Sequence, residues 1–224
     1  MLHKGFVCTF YFVRHVLSEA NMHPEIIGGV SPFTPATKLG LKQGEALGER
    51  LKATGVIFDT VLASQTKRTK TTASVVCREI GFDPKKIRVR KELVERDQGE
   101  WTGQERSLMY SQENLAYMNL RTLDFTPPGG ESLRTVGRRM LVCLEKEVLF
   151  NPQYLALSKE HPLNILVITH GLALKSLLHE ILGFDPQMVW RFELANASLT
   201  VLRYTEKGWF PVCINDTGHL VGIS

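Results

Sequence analysis

Two apolar runs constrain this chain more than any other feature: Phe6-Val7-Cys8-Thr9-Phe10-Tyr11-Phe12-Val13 near its start, and Ile165-Leu166-Val167-Ile168 within Asn164 to Thr169. Runs rich in aromatic and β-branched residues, without polar alternation, predict strands buried on both faces, the pattern of a central strand in a mostly parallel sheet. Thr60 to Ser64 and Ile87 to Val94 supply two further strand candidates. Helical segments are expected after Ser64 or Thr66, over Leu41 to Leu51 and over Ser132 to Leu149. Strand alternating with helix implies an α/β fold, a three-layer sandwich with helices on both faces of the sheet.

In open sheets of this kind, ligands collect at the carboxyl ends of the strands. The residues just past each strand are therefore informative. Arg14-His15 comes directly after the first run, and His170-Gly171 after the last. After Ser64 comes a helix start with Lys67 and Arg68 in its first turn, where a cation opposes the helix dipole and suggests an anion between them. After the third candidate comes Glu95. One histidine at a strand end is most simply structural. Two of them, with two arginines and a glutamate at equivalent edges, read as a site.

These residues carry a resemblance. The chain resembles the histidine phosphatase superfamily, in the branch of cofactor-dependent phosphoglycerate mutases, fructose-2,6-bisphosphatase and α-ribazole phosphatases. The family's opening Arg-His is matched by Arg14-His15 with Asn21 beyond it, its Ser-x-x-x-Arg by Ser64 to Arg68, and its Leu-x-Glu-x-x-x-Gly-x-Trp-x-Gly by Leu93 to Gly103. Its Pro-Gly-Gly-Glu-Ser is matched by Pro128 to Ser132 and its Thr-His-Gly by Thr169 to Gly171. Asn196-Ala197-Ser198 and Asn215 to Leu220 look like its closing strands. Val16 and Leu17 depart from the usual Gly and acid. A β-branched residue resists the backbone freedom of Gly, so Val16 is expected to narrow the pocket.

The resemblance implies a phosphomonoesterase. His15 would be the nucleophile that forms a phosphohistidine, neutral because two guanidiniums lower its pKa. Arg14 and Arg68 would hold the phosphate with forked donors, helped by Asn21, Gly28 and Gly171. Glu95 would donate a proton to the leaving alkoxide and then activate water. His170 would stabilise charge. Within the family a short insertion at residues 104–127 favours a phosphatase over a mutase; it holds a helix-like piece, Ser107 to Leu120, and would form a lid. Arg96, Arg106, Tyr110 and Arg121 are its candidates for substrate contact.

Other classes fit less well. The seven His and four Cys show no metal-ligand spacing, and arginines in the site would repel a cation, so no metal and no cofactor are expected. Scattered cysteines predict free thiols, not a disulfide framework, and a reducing setting. No 18-residue apolar stretch and no leader are evident, so a cytoplasmic protein without a membrane partner is expected. A net charge of +4 is too small and dispersed for nucleic acid but suits a small phosphorylated substrate. The cluster around Lys85, Arg88 and Arg90 reads as the solvated face of an edge strand. The whole of 1–224 is expected to be one domain. A phosphoglycerate mutase, or a phosphate-binding module with weak turnover, remains the alternative.

Overall fold

The central sheet of the computed structural model, which describes residues 4–223, holds six strands: β1 (Val7–Arg14), β2 (Thr60–Ser64), β3 (Arg88–Arg90), β4 (Leu163–Thr169), β5 (Leu199–Thr205) and β6 (Gly208–Asp216). Their order is β3-β2-β4-β1-β5-β6. The first four are parallel, and β5 and β6 extend the sheet as an antiparallel hairpin beyond β1. The α/β reading with a mostly parallel sheet therefore holds.

The apolar runs are continuous because both sides of the sheet are covered. Phe10, Phe12, Ile165 and Val167 face a core built with α5 (Leu133–Leu144) and α7 (Gly171–Leu182), through Met140, Leu144, Leu174 and Leu177. Val13, Leu166 and Ile168 face the other side, where α1 (Lys38–Ala53) and α2 (Lys67–Ile80) contribute Leu47, Leu51, Val76 and Cys77. Burying each such side chain fully stabilises the fold by about 1.5–3 kcal/mol. Cys8, Cys77 and Cys143 are buried free thiols. Burial pushes the Cys77 and Cys143 thiols up to about 12.

Three expectations need correction. The third strand stops at Arg90, because Lys91 to Leu93 turn into a short 3-10 segment that aims the chain at Glu95. Its arginines are not a solvated face: Arg88 and Arg90 both pair with Glu147, which lies just past α5. The closing strands are only partly where expected: Asn196 to Ser198 precede β5, while Asn215 and Asp216 end β6 and Thr217 to Leu220 come after it.

Between β3 and α5 the segment expected to form a lid holds two helices, α3 (Arg106–Met109) and α4 (Gln112–Arg121). A small core of its own, Ile27, Trp101, Met118 and Phe125, fastens it to the loop after β1. The sixth helix, α6 (Pro152–Leu157), leads into β4. Among the described residues no helix is long and apolar enough to cross a membrane.

Candidate active site

Sheet register builds the site. Arg14 on β1 pairs with Thr169 on β4, so the next residues of both strands, His15 and His170, emerge side by side at the carboxyl edge. Their ring centroids lie 5.2 Å apart. His15 is fixed from two directions. Its amide donates to the Thr169 carbonyl at 2.9 Å, and its own carbonyl accepts from the Ala197 amide and the Asn196 side chain. Ala197 adopts φ 57°, a left-handed conformation that L side chains rarely take, to reach back over β1.

The hydrogen bonds set the ionisation and tautomer of His15. Its Nδ1 lies 2.8 Å from the Val16 carbonyl, which can only accept, so Nδ1 carries the proton. Nε2 then holds a lone pair, and it accepts from Arg68 Nε at 3.1 Å. Burial, then Arg68 and Arg14, push the His15 pKa well below the ordinary imidazole range, against the Val16 hydrogen bond. The ring is neutral, with its lone pair on Nε2.

Arg68, in the first turn of α2, is buried and spreads its guanidinium across four partners: His15, His170 Nδ1 at 3.1 Å, and the carbonyls of Ser31 and Val30. Because arginine cannot accept, His170 Nδ1 is the acceptor and its Nε2 proton goes to Ser64 Oγ at 2.9 Å. Burial, with His15 and Arg68 beside it, holds His170 neutral too. His170 stands behind His15 and is not among the residues lining the cavity.

Glu95 is positioned by an unused property of α7. The first amides of a helix lack intrahelical partners. Those of Ala173 and Leu172 donate to Glu95 Oε1 at 2.8 Å and Oε2 at 3.2 Å, while the Arg96 amide also donates to Oε1. Oε2, with one amide donor against two on Oε1, has the greater spare acceptor capacity. The same turn brings Gly171 against Arg14: a Cβ there would lie 3.3 Å from Arg14 Nε, so any side chain would crowd the guanidinium. Arg14 donates to the Leu194 carbonyl, while its buried Nε has no hydrogen-bond partner among the described residues.

These groups open onto a cavity of about 740 Å³, lined among others by Arg14, His15, Asn21, Gly28, Arg68, Glu95 and Gly171. Every expected site residue except His170 thus reaches its wall. Asn21 Oδ1 accepts from Ser18 and from the Asn196 side chain, fixing the amide plane. Gly28 lies on the loop that shares its wall with Ser31. Among the described residues no three His, Cys, Asp or Glu side chains form a group able to hold a metal ion.

Of the lid candidates, Arg106 and Tyr110 line the cavity, and Arg121 does not. Arg96 is no substrate contact: it is 1% exposed, donates to the Glu131 and Phe125 carbonyls, and so braces the end of the 104–127 segment. Val16 does not narrow the cavity either. It is buried on the far side, where its Cγ1 would lie 3.3 Å from a Cβ on Gly44, so a glycine in α1 makes the room that Val16 takes. Sequence reading missed Asn196, Ser64 as the partner of His170, and Arg139. Arg139 on α5 donates to the Glu92, Val94 and Glu95 carbonyls and pairs with Glu131. Only the Pro-Gly-Gly-Glu-Ser run hinted at that brace, since its Glu131 is the acid concerned.

A family model described as the histidine phosphatase superfamily (branch 1) matches residues 10–217, which include every site residue above. The chain belongs to the histidine phosphatase superfamily. Among similar curated proteins, the 2,3-bisphosphoglycerate-dependent phosphoglycerate mutase of Parvibaculum lavamentivorans is 29% identical over 198 residues, covering 88% of this chain and 90% of the relative. The same-named protein of Brucella melitensis is 31% identical over 191 residues, covering 83% and 87%. Among solved structures, mycobacterial glucosyl-3-phosphoglycerate phosphatase superposes with a TM-score of 0.78 at 21% identity, over 94% of this chain and 100% of that one. A putative α-ribazole-5′-phosphate phosphatase of Escherichia coli gives 0.71 at 24% identity, over 93% and 96%. These last two likenesses are of fold. Membership of the superfamily makes this chain a phosphoryl-transfer enzyme of the phosphoglycerate mutase-like kind.

Proposed function

We propose that this histidine phosphatase superfamily member is a metal-independent phosphomonoesterase that hydrolyses a small phosphorylated metabolite through a phosphohistidine at His15. The carrying observation is the neutral His15 ring with its proton held on Nδ1 by Val16 and its Nε2 lone pair directed at Arg68. In this reading Arg14 and Arg68 receive the phosphoryl oxygens, the unpartnered Arg14 Nε being one donor, with Asn21, Gly28 and Gly171 lining the same wall. Nε2 attacks phosphorus, the P–O ester bond breaks, and the leaving alkoxide takes a proton from Glu95. Water then gives a proton to Glu95 and attacks the phosphohistidine, releasing inorganic phosphate and neutral His15. His170 steadies Arg68 as charge redistributes, since phosphoryl transfer asks mainly for positioning and electrostatic stabilisation.

Residues 1–224 then act as one domain with 104–127 as its lid, and the free thiols support a cytoplasmic setting. A mutase reading is favoured by one observation, the names of the curated relatives at 29–31% identity. The test is turnover of phenyl phosphate and a panel of metabolite phosphates in excess chelator, with a rapid acid–base comparison of the phosphoenzyme. Turnover with release of inorganic phosphate and an acid-labile, base-stable label, both lost in His15→Ala, is expected. Isomerisation of phosphoglycerates without net release would shift the reading to a mutase. Phosphate binding with no turnover of any substrate would leave only a binding module.

A further inference from the structure

Lys175 is the one half-buried cation of the cavity wall whose role the proposed chemistry leaves unassigned. It lies on α7 four residues after Gly171, hence on the same face and about 6 Å further along the axis. Gly171 abuts Arg14, so Lys175 stands next to the phosphoryl site, displaced from it by a few bond lengths. Its ammonium packs 5.4 Å from the Phe192 ring centroid and forms no hydrogen bond or ion pair with a described residue. Glu193 and Glu95 act on it through space, but neither is within ion-pairing distance; burial and Arg14 lower its pKa against them. Packing on the Phe192 ring satisfies none of the ammonium's three hydrogen-bond donors, so a substrate anion in the cavity can take them. The other distal cation, Arg106, is exposed and already donates to the Pro24 carbonyl while stacking on Tyr110.

We infer that Lys175 is a specificity-determining residue that binds a second anionic group on the leaving portion of the substrate, a carboxylate or second phosphate a few bonds from the phosphorylated oxygen. This rests on the phosphoryl-transfer reading of the same site. The ammonium rests against the Phe192 ring at the cavity wall, so the second anion is selected by its distance from phosphorus as well as by its charge.

The test compares 3-phosphoglycerate with glycerol 3-phosphate, which differ by carboxylate against hydroxymethyl, following all loss of each ester by phosphorus NMR. The native chain is expected to prefer the carboxylate by about tenfold or more in kcat/KM, the scale of one charged hydrogen bond. Lys175→Met and Lys175→Gln should reduce that ratio about 10- to 100-fold, and Lys175→Arg should keep most of it. Equal use of the two esters by the native chain, or an unchanged ratio in both charge-removing variants, overturns the proposal. A merely structural lysine would lower both rates together and leave the ratio alone. If neither ester nor phenyl phosphate turns over, the phosphatase reading fails separately. Calorimetric affinities of the native chain and Lys175→Met for the two esters then decide: a carboxylate preference lost in the variant upholds the role of Lys175, and equal affinities in the native chain refute it.

Discussion

Arg68 is the side chain through which the two histidines are coupled, since its Nε meets His15 and its Nη2 meets His170. Lysine supplies one point charge and cannot reproduce that fork. Arg68→Lys is expected to lower kcat by about 10²- to 10³-fold, the loss seen when one preorganised donor is removed. A second effect has its sign set by the pKa causes. Burial lowers the His15 pKa first and Arg68 next, so Arg68→Met, which keeps the burial but removes the cation, raises it toward 6.5. His15 would then protonate at higher pH, and the acid limb of kcat/KM would move upward. Ring-carbon NMR of His15 reads this directly, and an unmoved titration would sink the electrostatic account. Val16 makes the opposite case, a residue beside His15 whose side chain packs away from the cavity. Val16→Gly opens space against Gly44 and Val75 and is expected to cost about 1–3 kcal/mol, visible as a lower Tm, without raising turnover.

At the scale of elements, α5 and α7 together hold the acid. The amides at the start of α7 take the Glu95 carboxylate, and Arg139 on α5 ties the carbonyls of residues 92, 94 and 95. Glu131 fixes Arg139 with two hydrogen bonds of 2.9 Å. Burial raises the Glu131 pKa, but the hydrogen bonds and charge of Arg139 outweigh it and hold the carboxyl below its ordinary value. Glu131→Gln should therefore loosen Glu95 without touching the cavity. A fall in kcat of about tenfold, larger than any change in KM, is expected, with about 1–3 kcal/mol of lost stability. Equal kcat in variant and native chain would show that the brace is dispensable. Helix periodicity and capping residues made these helices legible in the sequence; the reach of Arg139 across to the strand-end loop was not, because a long side chain's partners depend on how α5 lies against the sheet.

For the whole molecule, the segment over residues 104–127 packs through a cluster of its own. Its small core around Trp101, with Phe125 at 5.3 Å and Tyr110 at 5.8 Å between centroids, is distinct from the two sheet cores. Trp101→Ala should free residues 104–124 while the sheet stays protected from hydrogen exchange, with KM raised about tenfold through the displaced Tyr110 wall. Loss of protection spread evenly over β1 and β4 would instead mean that the lid and sheet unfold as one unit. The sequence by itself determined the parallel sheet, because strands buried on both faces must be apolar without alternation. It determined the strand ends that carry Arg14, His15, Arg68, Glu95 and His170, because local order along the chain puts each at or shortly after the end of its strand. Tertiary structure alone decided which of them meet and how. The β1–β4 register places His15 beside His170, the left-handed backbone at Ala197 clamps β1, and the room left by Gly44 turns Val16 away from the cavity. Those outcomes depend on contacts between segments far apart in sequence, and a packed interior fixes such contacts jointly, not residue by residue.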